Sequence, residues 1–416
     1  MSILHLKQAI FRMLRWSERY TKTDMVYLAK GSFWMMVRQI GVSFISFGLA
    51  IAFANLLPQE TYGAYKYIIS VSLLLAITTL SGINTSLTRS VARGYEGSIV
   101  PALVTRMRWG IIGSILALFV ILYYQVQGNS LLSSIFVIVA IFLPFKSSFS
   151  VYQAYWQGKQ RFDVFSKFAL LQELFIALSL IVTIWLTSDL LVLVLVYFVA
   201  QTGASAFFYV LTRRCLYHAA RDPEMIHYGK HVSFSGVLFA IANNATDVVI
   251  WHLLGPASVA VFAFALRPPQ ELRRLFTEAF PIALPKFSQQ TKQDIQRTLI
   301  PKIGKLYLLL APCVVGYILI APFVFDWLFP AYQESVYYSQ WLSLSILVAP
   351  LSLFGTVFQA LGRTKEIYIS SILAPLLLVP ALVLFVWLYG LFGVIIAWLV
   401  TQTIGAFITV YLFKRM

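Results

Sequence analysis

The chain has 416 residues, of which 59% are hydrophobic and only 12% are charged, and its formal net charge is +16. Soluble domains carry about 25% charged residues, so this composition excludes a soluble protein and predicts a polytopic membrane protein. The basic residues lie in short connections between apolar segments. The positive charge therefore reflects membrane topology, and we expect no nucleic-acid partner.

The N-terminal segment, residues 1–30, is basic and lacks the apolar core and small-residue cleavage site of a signal peptide. Apolar residues recur at helical spacing from Ile3 to Leu14, and arginines lie on the opposite face. This pattern predicts a cytoplasmic amphipathic helix that lies on the inner leaflet as an anchor.

A membrane span needs about 20 apolar residues, and twelve segments of the chain meet this requirement. They cover about 31–54, 65–86, 109–127, 131–157, 168–187, 190–212, 232–254, 257–281, 306–326, 336–360, 367–388 and 390–413. Most of the 32 lysines and arginines lie at the N-terminus or in alternate connections, whereas the other connections hold only Lys66. By the positive-inside rule, both termini are predicted to be cytoplasmic. We therefore expect an all-α membrane protein with 12 transmembrane helices.

Two pairs of segments repeat in the same order along the chain. "LLPQETYGAY" (56–65) follows the first predicted span, and "LLGPASVAVF" (253–262) follows the seventh. "YQAYWQGKQRF" (152–162) ends the fourth span, and "FQALGRTKEI" (358–367) ends the tenth. Similar segments after equivalent spans indicate an internal duplication.

The duplication predicts two pseudo-symmetric six-helix bundles, at 31–212 and 232–416, in the same orientation. Residues 213–231 would form the cytoplasmic linker between them. Halves of this kind usually enclose a central path through the membrane, so we expect a central cavity.

Motifs for ATP hydrolysis and metal binding are missing from the sequence. There is no G-x-x-x-x-G-K-[ST] loop, and no connection is large enough for a separate catalytic domain. His227 and His231 in "HYGKH" are four residues apart, but two ligands without a third are weak evidence for a metal site, and we interpret them as part of a solvated loop. We expect no metal, no cofactor and no enzymatic activity.

The predicted eighth span contains "FALRPPQELRRLF" (264–276), which is highly charged for a membrane segment. Arg267, Glu271, Arg274 and Glu278 follow at spacings of four, three and four, and so share one helical face. A charge at the bilayer centre costs about 2.5–3.5 kcal/mol, so this face is expected to line a polar lumen. The alternative for the inner arginines of this span is that they snorkel to the headgroups.

Pro268 and Pro269 follow Arg267 directly. Each proline removes a backbone donor, so the pair predicts a kink or hinge at this depth. Irregular backbone within a membrane is tolerated only against protein or a water-filled cavity. The prolines therefore agree with a lumen-facing position for this part of the span.

Two other spans carry a cation well inside the apolar segment. Arg38 lies in the first span, in "WMMVRQIGVSF", and Lys146 lies in the fourth. Gln153 lies two turns beyond Lys146 on the same face, next to Tyr152. We expect both cations to face the lumen, with Tyr152 and Gln153 on its wall. The alternative for Arg38 is that it snorkels to the headgroups.

The seventh span carries a polar stripe. Asn243 and Asp247 are four residues apart on one face, and Asn244 lies beside them. Asp247 is deep enough in the span to be costly if it is ionised in lipid. It could balance the lumen cations, carry a coupling ion, or form a structural ion pair with an arginine of the eighth span.

"LPQETYGAYKYIISVSLLL", "NNATDVVIWHLLGPASVAVFAFALRPPQEL" (243–272) and "ALGRTKEI" resemble the Wzx-type polysaccharide flippases of the multidrug/oligosaccharidyl-lipid/polysaccharide transporter superfamily. The resemblance extends over nearly the whole chain. It implies a flippase in the bacterial cytoplasmic membrane that moves an undecaprenyl-diphosphate-linked oligosaccharide from the inner to the outer leaflet. The resemblance also implies alternating access and coupling to H⁺ or Na⁺. It further implies contacts with membrane lipids and cooperation with other polysaccharide-assembly membrane proteins.

A lipid diphosphate matches the cationic residues, because the planar guanidinium group of arginine donates paired hydrogen bonds to phosphate. The predicted diphosphate cradle consists of Arg38, Lys146, Arg267 and Arg274. The predicted glycan contacts are Gln153, Tyr152, Asn243 and Asn244. Asp247 and Glu271 are assigned to ion coupling or charge balance, and Pro268 and Pro269 to the hinge.

Two other functions remain open. A multidrug or small-metabolite exporter of the same superfamily would favour an acidic pocket for cationic substrates, whereas the spans of this chain carry slightly more cations than acids. A membrane polymerase or ligase of surface polysaccharide would carry a large external loop. The longest outer connection here is about the length of "WLFPAYQESVYY".

Overall fold

The computed structural model describes residues 25–216, 220–277, 292–361 and 363–415. Within these ranges all regular secondary structure is helical, as predicted. Residues 1–24 of the predicted amphipathic segment 1–30 lie outside the described residues, and so does Glu278.

Seventeen helices are distinguished in the described residues, and short 3₁₀ turns join several of them. They are α1 (Met25–Leu56), α2 (Gln59–Leu75), α3 (Gly82–Ala92), α4 (Ile99–Val126), α5 (Ser130–Ser148), α6 (Val151–Gly158), α7 (Phe162–Leu186), α8 (Leu190–Arg214), α9 (Met225–Ser235), α10 (Val237–Leu254), α11 (Pro256–Thr277), α12 (Lys292–Leu328), α13 (Ser335–Ser343), α14 (Ser345–Val348), α15 (Ser352–Ala360), α16 (Thr364–Tyr389) and α17 (Leu391–Arg415).

The described residues contain ten helical segments that are long and apolar enough to cross a membrane, or eleven if one bent pair is a single span. The bent pair, Gln59–Thr79 and Gly82–Ala92, meets at an angle of 51°. The predicted eighth span corresponds to α11, which is helical but too highly charged to be counted with these segments. The protein is therefore a multi-pass membrane protein.

Several predicted spans are broken. The span predicted at 65–86 bends at Leu80, which has a positive φ of 55°, and the span predicted at 232–254 is interrupted at Gly236, between α9 and α10. Hydropathy along the sequence measures polarity and not helix direction, so it does not reveal where these spans bend.

Contacts divide the described chain into two compact units, neither of which is continuous in sequence. The first unit draws on Met1–Leu49, Thr78–Val182 and Leu195–Phe234, and the second on Ala50–Ile77, Thr183–Val194 and Ser235–Met416. Helix α2 thus packs with helices from the C-terminal half of the chain. The bundles at 31–212 and 232–416 and the linker at 213–231 stay predictions.

The first unit is held together by an apolar core that α3, α4, α6 and α8 share. Helices α4 and α5 pack along one another. They approach closely at Gly110 of α4, where an added Cβ would lie 2.7 Å from the Cα of Pro144. This contact brings the two helix backbones together because glycine has no side chain.

The second unit is organised around α2, α10 and α11, which pack on one another. Gly63 of α2 lies against the first residue of α11, and an added Cβ would be 1.8 Å from the carbonyl oxygen of Pro256. Beside this contact Tyr67 of α2 stacks on Trp251 of α10, with ring centroids 4.4 Å apart. The glycine of the "TYGAY" motif therefore has a packing role.

We expect Gly63→Ala to lower the thermal unfolding midpoint of the purified protein. The new methyl group must displace backbone, and overpacking of this kind costs about 1–3 kcal/mol. Gly48→Ala is the matched control, because no atom lies within 4 Å of the position that its added methyl group would take. Equal midpoints for the two variants in the same detergent would contradict the close approach of α2 and α11.

Candidate functional site

Helix α11 carries the charged face predicted for the eighth span. Arg274 donates from Nη1 to Oε1 of Glu271 at 2.9 Å, one helical turn away. The Glu271 side chain is 18% exposed and that of Arg274 is 42% exposed, so the carboxylate is the more enclosed partner. Arg267, one turn further along the same face, is half-buried.

The two prolines of α11 lie inside a helix that runs without interruption from Pro256 to Thr277. Pro269 is buried and Pro268 is half-buried. Their assignment as a hinge stays a prediction.

Arg273 is the arginine of α11 that the sequence-based site did not include. It donates from Nη1 to the amide oxygen of Gln402 in α17 at 3.3 Å, and it forms no ion pair with any residue that the structure describes. Its neighbour Arg274 is compensated by Glu271. Because an amide carries no charge, this hydrogen bond gives one N–H donor of Arg273 an acceptor but leaves the positive charge of the guanidinium group in place.

Asp247 of α10 is enclosed by α2. It accepts a hydrogen bond from the Ser70 hydroxyl at 2.6 Å, and the Lys66 ammonium group lies 4.0 Å from the same carboxylate oxygen. The expected alternative, an ion pair with an arginine of the eighth span, is wrong for the described residues. Lys66, which had marked the edge of a predicted span, is the counter-charge because α2 packs against α10.

The two asparagines of α10 differ in their surroundings. Asn243 is exposed, whereas the Asn244 amide donates to the carbonyl of Ala240 within its own helix at 2.8 Å. Asn243 is therefore the more available of the two for contact with a polar ligand.

The two cations predicted in the first unit both lie over aromatic rings. The Arg38 guanidinium is 5.1 Å from the ring centroid of Phe165 in α7. The Lys146 ammonium is 4.7 Å from the centroid of Tyr197 and 4.8 Å from that of Phe198, both in α8. Aromatic faces attract cations away from bulk water, so these rings explain how the membrane segments accommodate the charges.

Tyr152, predicted to contact a glycan, is instead part of the core of the first unit. Its side chain is 0% exposed and packs against Phe168 and Phe208. Its hydroxyl donates to the side-chain oxygen of Gln172 and accepts from the Gln153 amide at 3.1 Å. A buried, hydrogen-bonded hydroxyl cannot contact a ligand in this conformation, so we correct the assignment of Tyr152 to packing.

Arg106 is a buried cation that the sequence interpretation assigned to a connection. Helix α4 begins at Ile99, so Arg106 lies inside it, and its side chain is only 4% exposed. It donates from Nε to the Thr79 carbonyl at 3.2 Å and from Nη1 to the side chains of Asn84 and Ser150. The only hint of this network in the sequence was that polar residues, Asn84 and Ser150, occur in the neighbouring apolar segments.

His227 and His231 lie on α9, not in a solvated loop. Both are exposed, and their Nε2 atoms are 3.2 Å apart. No cluster of three or more histidine, cysteine or acidic residues that could hold a metal is found among the described residues.

The predicted site residues are divided between the two compact units. Those in the first unit are Arg38, Lys146, Tyr152 and Gln153, and those in the second are Asn243, Asn244, Asp247, Arg267, Pro268, Pro269, Glu271 and Arg274. The structure brings together Tyr152 with Gln153 and Glu271 with Arg274. A cradle that combines cations of both units stays a prediction.

The fold is that of a class of membrane transporters. It is similar to the lipid II flippase MurJ in an inward closed conformation, with a TM-score of 0.69 and 12% identity over 91% of this chain and 87% of that chain. It is also similar to an inward-facing multidrug resistance MATE family transporter of the MOP superfamily, with a TM-score of 0.59 and 14% identity over 90% of this chain and 94% of that chain. The predicted arrangement of twelve helices in two bundles fits this fold.

A third similar structure is a MOP superfamily transporter from Pyrococcus furiosus. The reverse polarity of its binding pocket suggests a different function for that protein. The TM-score is 0.54 and the identity is 15%, over 93% of this chain and 95% of that chain. At such identities these likenesses establish the fold alone. No curated protein sequence matches the chain.

The family follows from the sequence match. The family model for polysaccharide biosynthesis proteins matches residues 28–291, which is more than half of the chain. The protein therefore belongs to the polysaccharide biosynthesis protein family, and the resemblance stated from its sequence motifs is confirmed.

We expect a double-mutant cycle between Lys66 and Asp247 to give a coupling free energy of about 1 kcal/mol, because each charge compensates the other in a partly enclosed site. Asp247→Asn alone should lower the unfolding midpoint more in the wild-type background than in Lys66→Met. Thermal unfolding of the four proteins measures the coupling. Strictly additive effects would mean that the 4.0 Å pair contributes nothing to stability.

Proposed function

We propose that the protein is a flippase that moves an undecaprenyl-diphosphate-linked oligosaccharide from the inner to the outer leaflet of the bacterial cytoplasmic membrane by alternating access. Membership of the polysaccharide biosynthesis family and a fold similar to that of a lipid II flippase support this proposal. Both termini would be cytoplasmic, as the distribution of lysine and arginine predicts.

The observation that carries the proposal is the excess of positive charge on α11. Glu271 compensates Arg274, but Arg273 meets only the neutral amide of Gln402 among the described residues. An arginine of α11 whose described partner is a neutral amide keeps its positive charge, and we expect that charge to have a use. An anionic substrate supplies the missing counter-charge.

A diphosphate is the anion that suits this helix best. Arginine donates two parallel hydrogen bonds to phosphate oxygens, and such charge-assisted bonds are stronger than neutral ones. We assign the lipid diphosphate to Arg267, Arg273 and Arg274. Arg38 and Lys146 of the first unit keep their sequence-based assignment as further phosphate ligands.

The glycan would meet weaker, more adaptable contacts. Asn243 is exposed on α10, and Gln153 is half-buried on α6. Amide side chains both donate and accept hydrogen bonds, so they accept sugars of different structure without demanding one arrangement of hydroxyl groups. Asn244 would take part only after breaking its bond to Ala240.

Asp247 is the candidate for coupling transport to an ion gradient. Its carboxylate lies inside the second unit and is held by one hydroxyl and one ammonium group. Binding of H⁺ or Na⁺ there would compete with Lys66 for the same oxygen. Ion binding would thus be linked to the contact between α2 and α10.

The second candidate function is a multidrug or small-metabolite exporter, which the similarity to MATE transporters favours. Exporters of cationic compounds need an acidic group that is available to the ligand. Asp247 is engaged by Lys66 and Ser70, and Glu271 by Arg274. This arrangement favours an anionic substrate over a cationic one.

Depletion of the protein in its native cell tests the flippase function. We expect single lipid-linked repeat units to accumulate on the cytoplasmic leaflet, where an impermeant lectin or glycosidase reaches them only in inside-out vesicles. Units that accumulate on the outer leaflet would indicate a polymerase or ligase instead. Unchanged surface glycan without accumulation would indicate a small-molecule exporter.

The arginines of α11 test the site. We expect Arg267→Gln and Arg273→Gln each to reduce the rate of glycan export by about 10- to 100-fold, because one charged hydrogen bond to phosphate contributes about 1.5–3 kcal/mol. Arg108→Gln is the matched control, since Arg108 is exposed on α4. Export is compared at equal amounts of folded protein in the membrane. Normal rates in both α11 variants would exclude this helix as the phosphate ligand.

A further inference from the structure

Helix α9 carries a pair of histidines that the transport function leaves unexplained. His227 and His231 are one turn apart on its exposed face. Their rings are nearly perpendicular, at 82°, with centroids 4.7 Å apart. Their Nε2 atoms approach to 3.2 Å, so two strong metal-ligand atoms lie close together.

The opposite face of α9 is anchored to α3. Its buried residues, Met225, Gly229 and Ser233, recur every four positions. The Ser233 hydroxyl accepts from the backbone N–H of Gly82 at 3.0 Å, and the Ser86 hydroxyl donates to the Met225 carbonyl at 2.5 Å. These bonds fix both ends of the helix.

Close packing fixes the middle of α9 as well. A Cβ added to Gly229 would lie 3.0 Å from the Cα of Ile83 in α3, so the two helices touch there. Just before α9, the Ser90 hydroxyl donates to Asp222 at 2.7 Å, and this bond holds the pKa of the Asp222 carboxyl below its ordinary value. The histidine pair therefore stands on a rigid support.

The spacing of the two nitrogen atoms fits one metal ion. Zinc binds imidazole nitrogen at about 2.0–2.1 Å, so two nitrogens in its shell are about 2.9 Å apart at a right angle and about 3.4 Å apart at the tetrahedral angle. The observed 3.2 Å lies between these two values. The separation of the two nitrogens therefore needs no backbone movement to suit one ion.

Two cations near the pair are already occupied by aromatic rings. The Lys230 ammonium group lies 5.3 Å from the ring centroid of Trp109, and the Arg89 guanidinium lies 4.9 Å from that of Tyr228. These contacts hold both charges at aromatic faces, so each cation has a partner other than the histidines.

We propose that His227 and His231 bind one divalent transition-metal ion, of the class that prefers imidazole, through their Nε2 atoms. Zn²⁺, Cu²⁺ and Ni²⁺ belong to this class. Both imidazoles bind in the neutral form. A neutral ring that carries its proton on Nε2 transfers it through water to its own Nδ1, so two neutral rings release no net proton. Water completes the coordination shell.

This site is independent of the flippase function and is tested with Zn²⁺ alone. The full-length protein, purified without a histidine tag in lipid nanodiscs, is titrated with Zn²⁺ by calorimetry. We expect one equivalent to bind. His227→Ala and His231→Ala should each weaken binding by roughly 100-fold, because the second imidazole no longer binds intramolecularly.

Two control variants separate this pair from other metal ligands in the chain. His218→Ala removes a histidine that is near the pair in sequence, and Cys215→Ser removes an exposed thiol. Both variants should bind Zn²⁺ like the wild type. Cu²⁺ bound to the wild type should give an electron paramagnetic resonance spectrum with two equatorial nitrogens, and each α9 variant should show one. Absence of saturable binding, or unchanged binding in both α9 variants, would overturn the proposal and leave only an inter-imidazole hydrogen bond. Loss of binding in His218→Ala would overturn the assignment to two histidines.

Discussion

The constraint on which this structure depends is the cost of charge among apolar helices. Several of the ionisable groups described above meet a partner that lowers this cost. Asp247 is held by Lys66 and Ser70, and Glu271 by Arg274. Where the compensation is only a neutral amide, as at Arg273, the positive charge that remains is available to an anionic ligand. The same electrostatic rule thus links the packing of the units to the proposed transport of a diphosphate.

Close helix approach is what brings these partners together. Gly63 lets α2 lie against the start of α11, and α2 in turn supplies both Lys66 and Ser70 to Asp247. In the first unit, Gly229 lets α9 rest on α3, and this contact leaves the two histidines on the outer face. Small residues therefore determine which polar groups become neighbours, although they have no polar chemistry of their own.

The charged residues of the candidate site could be selected from the sequence, because a charge within an apolar segment is visible there. Arg38, Lys146, Asp247 and Arg267 were recognised in this way. Tyr152 was not predictable, since an aromatic residue near the end of a span serves equally well as core or as a wall residue. Its rotation toward Phe168 and Phe208 depends on where α7 and α8 lie.

The sequence by itself determined the membrane class, the helical architecture and the family, because hydropathy, charge and motif order are local properties of the chain. Only the tertiary structure decided that Asp247 pairs with Lys66, that Arg106 is buried and that the helix of His227 and His231 rests on a fixed support. Each of these facts depends on helix rotation and on contacts between distant segments. Such contacts are set by the packing of whole helices, which no short stretch of sequence encodes.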